Sequence, residues 1–199
     1  MPHPWDQGVT AEGIIRSYKE AKLPYGFPPP TELCARTAEI YKAILYEAEV
    51  MDETQLTVTV IHCRAADGWD EMGIGFSGQD HAKKYKAIKN KIKEIGLKGI
   101  VEELTGDATP HNLRLWHSYS NPTGCNWWCS EPKAYQCVQN VSAGDIQLLG
   151  YCCFWFCNKH YLPSERIAVP NVPVEYCYMR PCDRCETNLN KFLGRLKVG

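Results

Sequence analysis

Nowhere in the 199 residues does an apolar run approach bilayer-spanning length, which takes about 20 consecutive apolar residues as a helix. That absence removes a helical membrane span, and with it a membrane partner, from the expected architecture. Charge of one sign is also missing: 22 Lys and Arg stand against 23 Asp and Glu, a formal net charge of −1. A surface built throughout for polyanions carries a large positive excess, so that class is excluded and only a local basic patch stays open. The opening residues, MPHPWDQGVTAEG, contain no charged segment followed by an apolar stretch, the pattern of a secretory leader. The corresponding expectation is a reducing compartment, cytoplasm or nucleus. There is no internal repeat and no low-complexity tract.

Cysteine, by contrast, is abundant. Eleven is a high count and an odd one, and in a reducing compartment it points to metal binding or catalysis rather than to disulfides. Several thiols keep aromatic company, as in YCCFWFC (151–157), and read as small buried hydrophobes. Cys152, Cys153, Cys157 and His160 also have the composition of a second zinc site, and the two readings stand side by side.

Residues 1–30, rich in Pro and Gly and ending in GFPPP, read as an extended N-terminal arm, with one domain over 31–199. Thr31 caps a helix expected over 32–49. QLTVTVIHC (55–63) alternates and is β-branched, the mark of a strand, on which His62 is an ordinary strand residue. An Asp-Gly turn leads to EMGIGFSG (71–78) as a second strand, giving a hairpin, although its glycines weaken that assignment. A long amphipathic helix follows over about 80–104, with breaks expected at Gly96 and Gly99. It carries seven lysines between positions 83 and 98, either a solvated face or a track for a phosphate backbone. Residues 105–128 read as a loop, 130–140 as a helix, 174–179 (VEYCYM) as a strand, and the PCDRC run as the start of a last helix.

Two short motifs carry chemistry. Cys129-Ser130-Glu131 opens one helix, and Pro181-Cys182-Asp183-Arg184-Cys185 opens another just after a strand. Helix starts offer unpaired N–H groups and partial positive charge, which favour the thiolates that zinc binds. Cys129, Cys182 and Cys185 are therefore candidate ligands of one Zn2+. Three protein ligands leave a fourth position for water, as in catalytic rather than structural sites. Glu131, two residues from a ligand, is placed to take a proton from that water. Three thiolates on Zn2+ leave a formal −1, and Arg184 is the candidate compensating charge.

This pairing resembles the zinc-dependent cytidine deaminase-like superfamily of nucleoside and nucleic-acid deaminases, whose pattern is H-x-E or C-x-E followed by P-C-x-x-C. CSEPKAYQ (129–136) looks most like members found among polymorphic-toxin deaminases. The resemblance implies an α/β fold, a cytidine deaminase-like three-layer α/β/α sandwich with a small mixed sheet. Fourteen residues follow Cys185, where the family places one or two further strands. The sheet is thus expected to lack its C-terminal strands or to be completed from elsewhere. The long spacing between the motifs implies an insertion around 144–168. The resemblance also implies Glu131 as general acid/base, the backbone carbonyl near Ser130 beside the departing amino group, and delivery as a toxin as one mode of action. The implied substrate is a nucleoside, a nucleotide or single-stranded nucleic acid.

Other residues complete the candidate site. Trp127 or Trp128 can stack on a base, and His117 and Asn121 can reach one, though core anchoring and loop packing explain the same residues. A closed structural site made of Cys125, Cys129, Cys182 and Cys185 is a further alternative, in which Glu131 merely complements the helix dipole. A redox C-x-x-C is another. The competing class of function is a zinc-stabilised binding module without turnover, or a degenerate deaminase fold that has kept its metal and lost its pocket.

Overall fold

Thr31 does locally what its residue type dictates. Its Oγ1 accepts the Cys34 N–H at 3.2 Å and its carbonyl accepts the Ala35 N–H at 3.0 Å, the arrangement of a helix N-cap. The helix it starts, α2 (Glu32–Glu47), buries Cys34, Ala35, Ala38, Tyr41 and Ile44 along one face. The computed structural model describes residues 10–21, 28–47, 56–77, 82–105, 113–117, 129–139, 146–156 and 196–198.

The expected extended arm is corrected by a helix, α1 (Ala11–Ala21). Thr10 caps it through the Gly13 N–H at 3.0 Å, and the Glu39 carboxylate of α2 accepts the Ala11 N–H at 3.1 Å. Ile14, Ile15 and Tyr18 recur at helical spacing and pack on the core. That apolar stripe outweighs the Pro and Gly residues on either side, because burying one such side chain is worth about 1.5–3 kcal/mol.

Strands β1 (Leu56–Arg64) and β2 (Asp70–Phe76) form the expected antiparallel hairpin, and Gly68 in the turn takes a positive φ of 83°. Helices α3 (Ala82–Ile95) and α4 (Leu97–Thr105) follow. They are separated at Gly96, whose φ of 81° and N–H bond to the Ile92 carbonyl at 2.8 Å end α3, as a left-handed glycine does. Gly99 breaks nothing and lies inside α4.

Three further elements change the expected layout. Strand β3 (Leu113–His117) pairs parallel with β2 inside the stretch read as a loop. After α5 (Ser130–Gln139), the helix expected over 130–140, comes β4 (Ile146–Phe156), antiparallel to β1. Residues 146–156 of the expected insertion thus form a strand next to the centre of the sheet, and the rest of it lies outside the described residues. A short β5 (Leu196–Val198) pairs parallel with β4, so a strand does follow the second motif, and Leu196 belongs to it rather than to a last helix. The 174–179 segment lies outside the described residues.

Together these strands make a five-stranded mixed sheet in the order β3-β2-β1-β4-β5. Only β1 runs against the others, so the carboxyl ends of β2, β3, β4 and β5 share one edge. Val58, Val60, Met72, Ile74, Phe76, Cys152 and Phe154 face α1–α4, while Ile61, Cys63, Tyr151 and Cys153 face α5. The fold is mixed α/β with helices on both faces. Among the described residues no helix is long and apolar enough to cross a membrane.

Candidate active site

Helix α5 lies directly on two glycines of β2. A Cβ on Gly75 would stand 2.0 Å from the Ser130 carbonyl oxygen and 2.6 Å from the Ala134 nitrogen, and one on Gly73 would stand 2.5 Å from the Ala134 carbonyl oxygen. No side chain fits at either place, so G-I-G in this strand is the seat of a helix. These contacts also orient α5. Ser130 lies over Gly75 and Val138 over Gly73, so the amino terminus of α5 points to the edge where four strands end. In open α/β sheets that edge is where ligands bind.

The C-S-E-P-K run forms this helix start. Glu131 and Pro132 both suit a first turn: a carboxylate there faces the positive end of the helix dipole, and proline gives up an N–H that would have no helical partner. Cys129, immediately before Ser130, is half-buried. Ser130 is fully buried and Glu131 is 6% exposed.

Polar contacts link this turn to the sheet. Ser130 Oγ donates to Glu131 Oε2 at 3.2 Å, and Thr59 Oγ1 on β1 lies 2.8 Å from Ser130 Oγ and 3.3 Å from Cys153 Sγ on β4. Burial pushes the Cys153 thiol far above its ordinary range and the charge of Glu131 pushes it further, against hydrogen bonds from Thr59, Tyr151 and Ser130. Cys153 is therefore a neutral thiol. Lys133 is fully buried, and its Nζ donates to the Phe76 carbonyl at 2.9 Å, at the carboxyl end of β2. Tyr135, one turn after Glu131, is 1% exposed and its hydroxyl finds no hydrogen-bond partner among the described residues. Burial raises its phenol well above 10, and the neighbouring Cys63 and Glu131 push the same way.

Of the residues expected in the site, Cys129, Ser130 and Glu131 lie together at this edge. His117 is the last residue of β3, paired with Ile74, which puts its backbone near the same edge. Asn121, Trp127, Trp128, Cys182, Arg184 and Cys185 lie outside the described residues, as do Cys125, Cys157 and His160. Among the described residues no group of three or more His, Cys, Asp or Glu could hold a metal. The second zinc site loses its basis at one point: Cys152 and Cys153 face opposite sides of the sheet, because successive strand residues alternate, and one ion cannot take both. Burial pushes the Cys152 thiol well up as well.

Thr59 and Lys133 of this neighbourhood escaped the sequence reading, and Cys153 entered it only as a buried hydrophobe or a second-site ligand. Thr59 and Cys153 sit on strands, and their pairing across β1 and β4 needs the register to be known. Lys133 belongs to the motif itself, and its type, a lysine in a first helical turn, was the available signal. The lysine-rich helix α3 carries exposed Lys86, Lys89 and Lys93. It packs among α2 and α4, on the sheet face away from α5. No protein-family model, curated protein or solved structure matches this chain.

Proposed function

We propose that the chain is a zinc-dependent hydrolytic deaminase with a cytidine deaminase-like fold, acting on the amino group of a cytosine- or adenine-type base, free or in single-stranded nucleic acid. The observation that carries this reading is the buried Glu131 carboxylate at the amino terminus of α5, beside half-buried Cys129 and at the edge where four strands end. Zinc fits what surrounds it. A thiol at a helix start is stabilised as thiolate by the helix dipole, and Cys129 is accessible enough there to bind an ion. Cys182 and Cys185 would supply the other two donors. When bound, the metal acidifies a water molecule and so makes a nucleophile available at neutral pH.

Glu131 does the proton work. Its carboxylate accepts a proton from the water that attacks the ring carbon. It passes that proton to the ring nitrogen beside the attacked carbon, then carries the proton of the new hydroxyl to the amino nitrogen, so that the C–N bond breaks, ammonia leaves and the ring keeps a carbonyl oxygen. Ser130 holds one carboxylate oxygen in place, and the α5 dipole favours the ionised carboxylate that must receive the proton.

The decisive experiment measures zinc content and ammonia release from cytidine, adenosine, guanosine and single-stranded oligonucleotides, for wild type and Glu131→Ala. One zinc in both proteins with ammonia from wild type alone is the expected result. A binding module, which would use exposed Lys86, Lys89 and Lys93 of α3 to hold a polyanion, predicts zinc in both and ammonia from neither. Absence of zinc from both would end the metal reading.

A further inference from the structure

We infer that Thr59 is a positioning residue that fixes the Glu131 carboxylate through Ser130; the inference rests on Glu131 being the working carboxylate. Thr59 is fully buried at the centre of β1, opposite Gly75 on one side and Cys153 on the other. Ile61 and Cys63 on that face are apolar. Packing alone would be served by valine, which has nearly the same shape and no hydroxyl to desolvate, whereas a buried hydroxyl is unfavourable unless it is hydrogen-bonded. The hydroxyl of Thr59 meets Ser130 Oγ at 2.8 Å, and Ser130 Oγ meets Glu131 Oε2 at 3.2 Å.

Three side-chain contacts make up this chain. Ser130 Oγ gives its proton to Glu131 Oε2. The 2.8 Å contact of Ser130 Oγ with Thr59 Oγ1 ties that serine to the sheet whichever hydroxyl donates. The Thr59 hydroxyl also donates to Cys153 Sγ at 3.3 Å, so it bridges the helix start to β4 as well as to its own strand. The contacts therefore run without a gap from the sheet through Thr59 and Ser130 to the carboxylate. Gly75 makes this possible, since only a glycine lets the Ser130 backbone come down to the level of Thr59. The outcome is a carboxylate whose orientation is set by the rigid centre of the sheet rather than by its own exposed edge.

The test compares Thr59→Val with Thr59→Ser, the second keeping the hydroxyl. Thr59→Val is expected to lower kcat about 10- to 100-fold, the scale of a misplaced catalytic group, with KM and zinc content unchanged. Thr59→Ser is expected to stay within about threefold of wild type. A fall in both variants alike, or in neither, would overturn the positioning role. A second readout does not depend on turnover: the Tm losses of Thr59→Val and Glu131→Gln in a double-mutant cycle. Coupled residues give a double variant less destabilised than the sum of the singles, and additive losses would sever Thr59 from Glu131. Wild type releasing no ammonia while the cycle shows coupling would sink the deaminase reading and leave the chain of hydroxyls standing.

Discussion

His62 Nδ1 shares a hydrogen bond with Thr31 Oγ1 at 2.9 Å, while its Nε2 lies 3.5 Å from Asp70 Oδ2. The same Thr31 hydroxyl accepts the Cys34 N–H, so the ring is tied to the cap of α2. Burial lowers the His62 pKa below 6.5; Asp70 opposes this and Arg64, itself bonded to Asp70 at 2.8 Å, reinforces it. The sign follows directly. A group whose proton is bound less tightly in the native state contributes stability above its unfolded pKa, and that stability is lost as pH falls through the folded one. Urea unfolding at pH 7.5 and 5.5 is expected to show a lower unfolding free energy at the acid value, with a smaller difference in His62→Gln. Equal slopes in the two proteins would remove His62 from the acid response. As an ordinary strand residue His62 was placed correctly on β1, but its tie to the cap of α2 needs the packing of helix on sheet. Gly150 supplies that space, where a Cβ would stand 2.7 Å from Thr31 Cγ2.

Between elements, the close approach of α5 to β2 decides what the sheet tolerates. Gly75→Ala would drive a methyl into two backbone atoms that no rotamer change can move. The expected cost is about 3 kcal/mol, at the upper end for overpacking, or a Tm drop on the order of 10 °C. Gly99→Ala serves as the control, with nothing within 4 Å of the added carbon and an expected gain of up to about 1 kcal/mol from helix propensity. Thermal unfolding of both variants checks the pair, and equal small shifts would contradict the seat assigned to Gly75. The same geometry explains which elements could be read from the chain. β1 alternates cleanly and α2 has its cap, so both were legible. The glycines of β2 looked like a weakness because nothing local announces a helix resting on them. β4 falls in the expected insertion because the spacing between the motifs is long, and its strand pattern is masked by a register shift of its ladder with β1 between His62 and Cys63. That irregularity puts Ile146 and Leu148 on the same face as Tyr151 and Cys153, which breaks the period of two. β3 is five residues long, too short for a periodicity to stand out from a loop.

For the molecule as a whole, connectivity sets what the candidate metal centre must do. The chain leaves β4 at Phe156, on the edge that holds Cys129 and Glu131, and re-enters at Leu196 opposite Ile146, at the other end of β4. Cys182 and Cys185 fall between those two points. Cys129 and Glu131 were legible because adjacency in sequence survives folding, whereas the meeting of Cys129 with Cys182 and Cys185 is a long-range closure that spacing alone does not determine. If zinc joins them, it ties the start of α5 to the β4–β5 connection, and its binding free energy adds to stability because the unfolded chain holds no preformed site. Dialysis against a chelator is then expected to lower Tm, and restored zinc to recover it. Cys129→Ser should sit near the stripped value with or without the ion, while Glu131→Ala should respond as wild type does, since its carboxylate is not a ligand. Chelator-insensitive wild type would mean that no metal makes this closure. A response preserved in Cys129→Ser would place the ion elsewhere and detach it from Glu131.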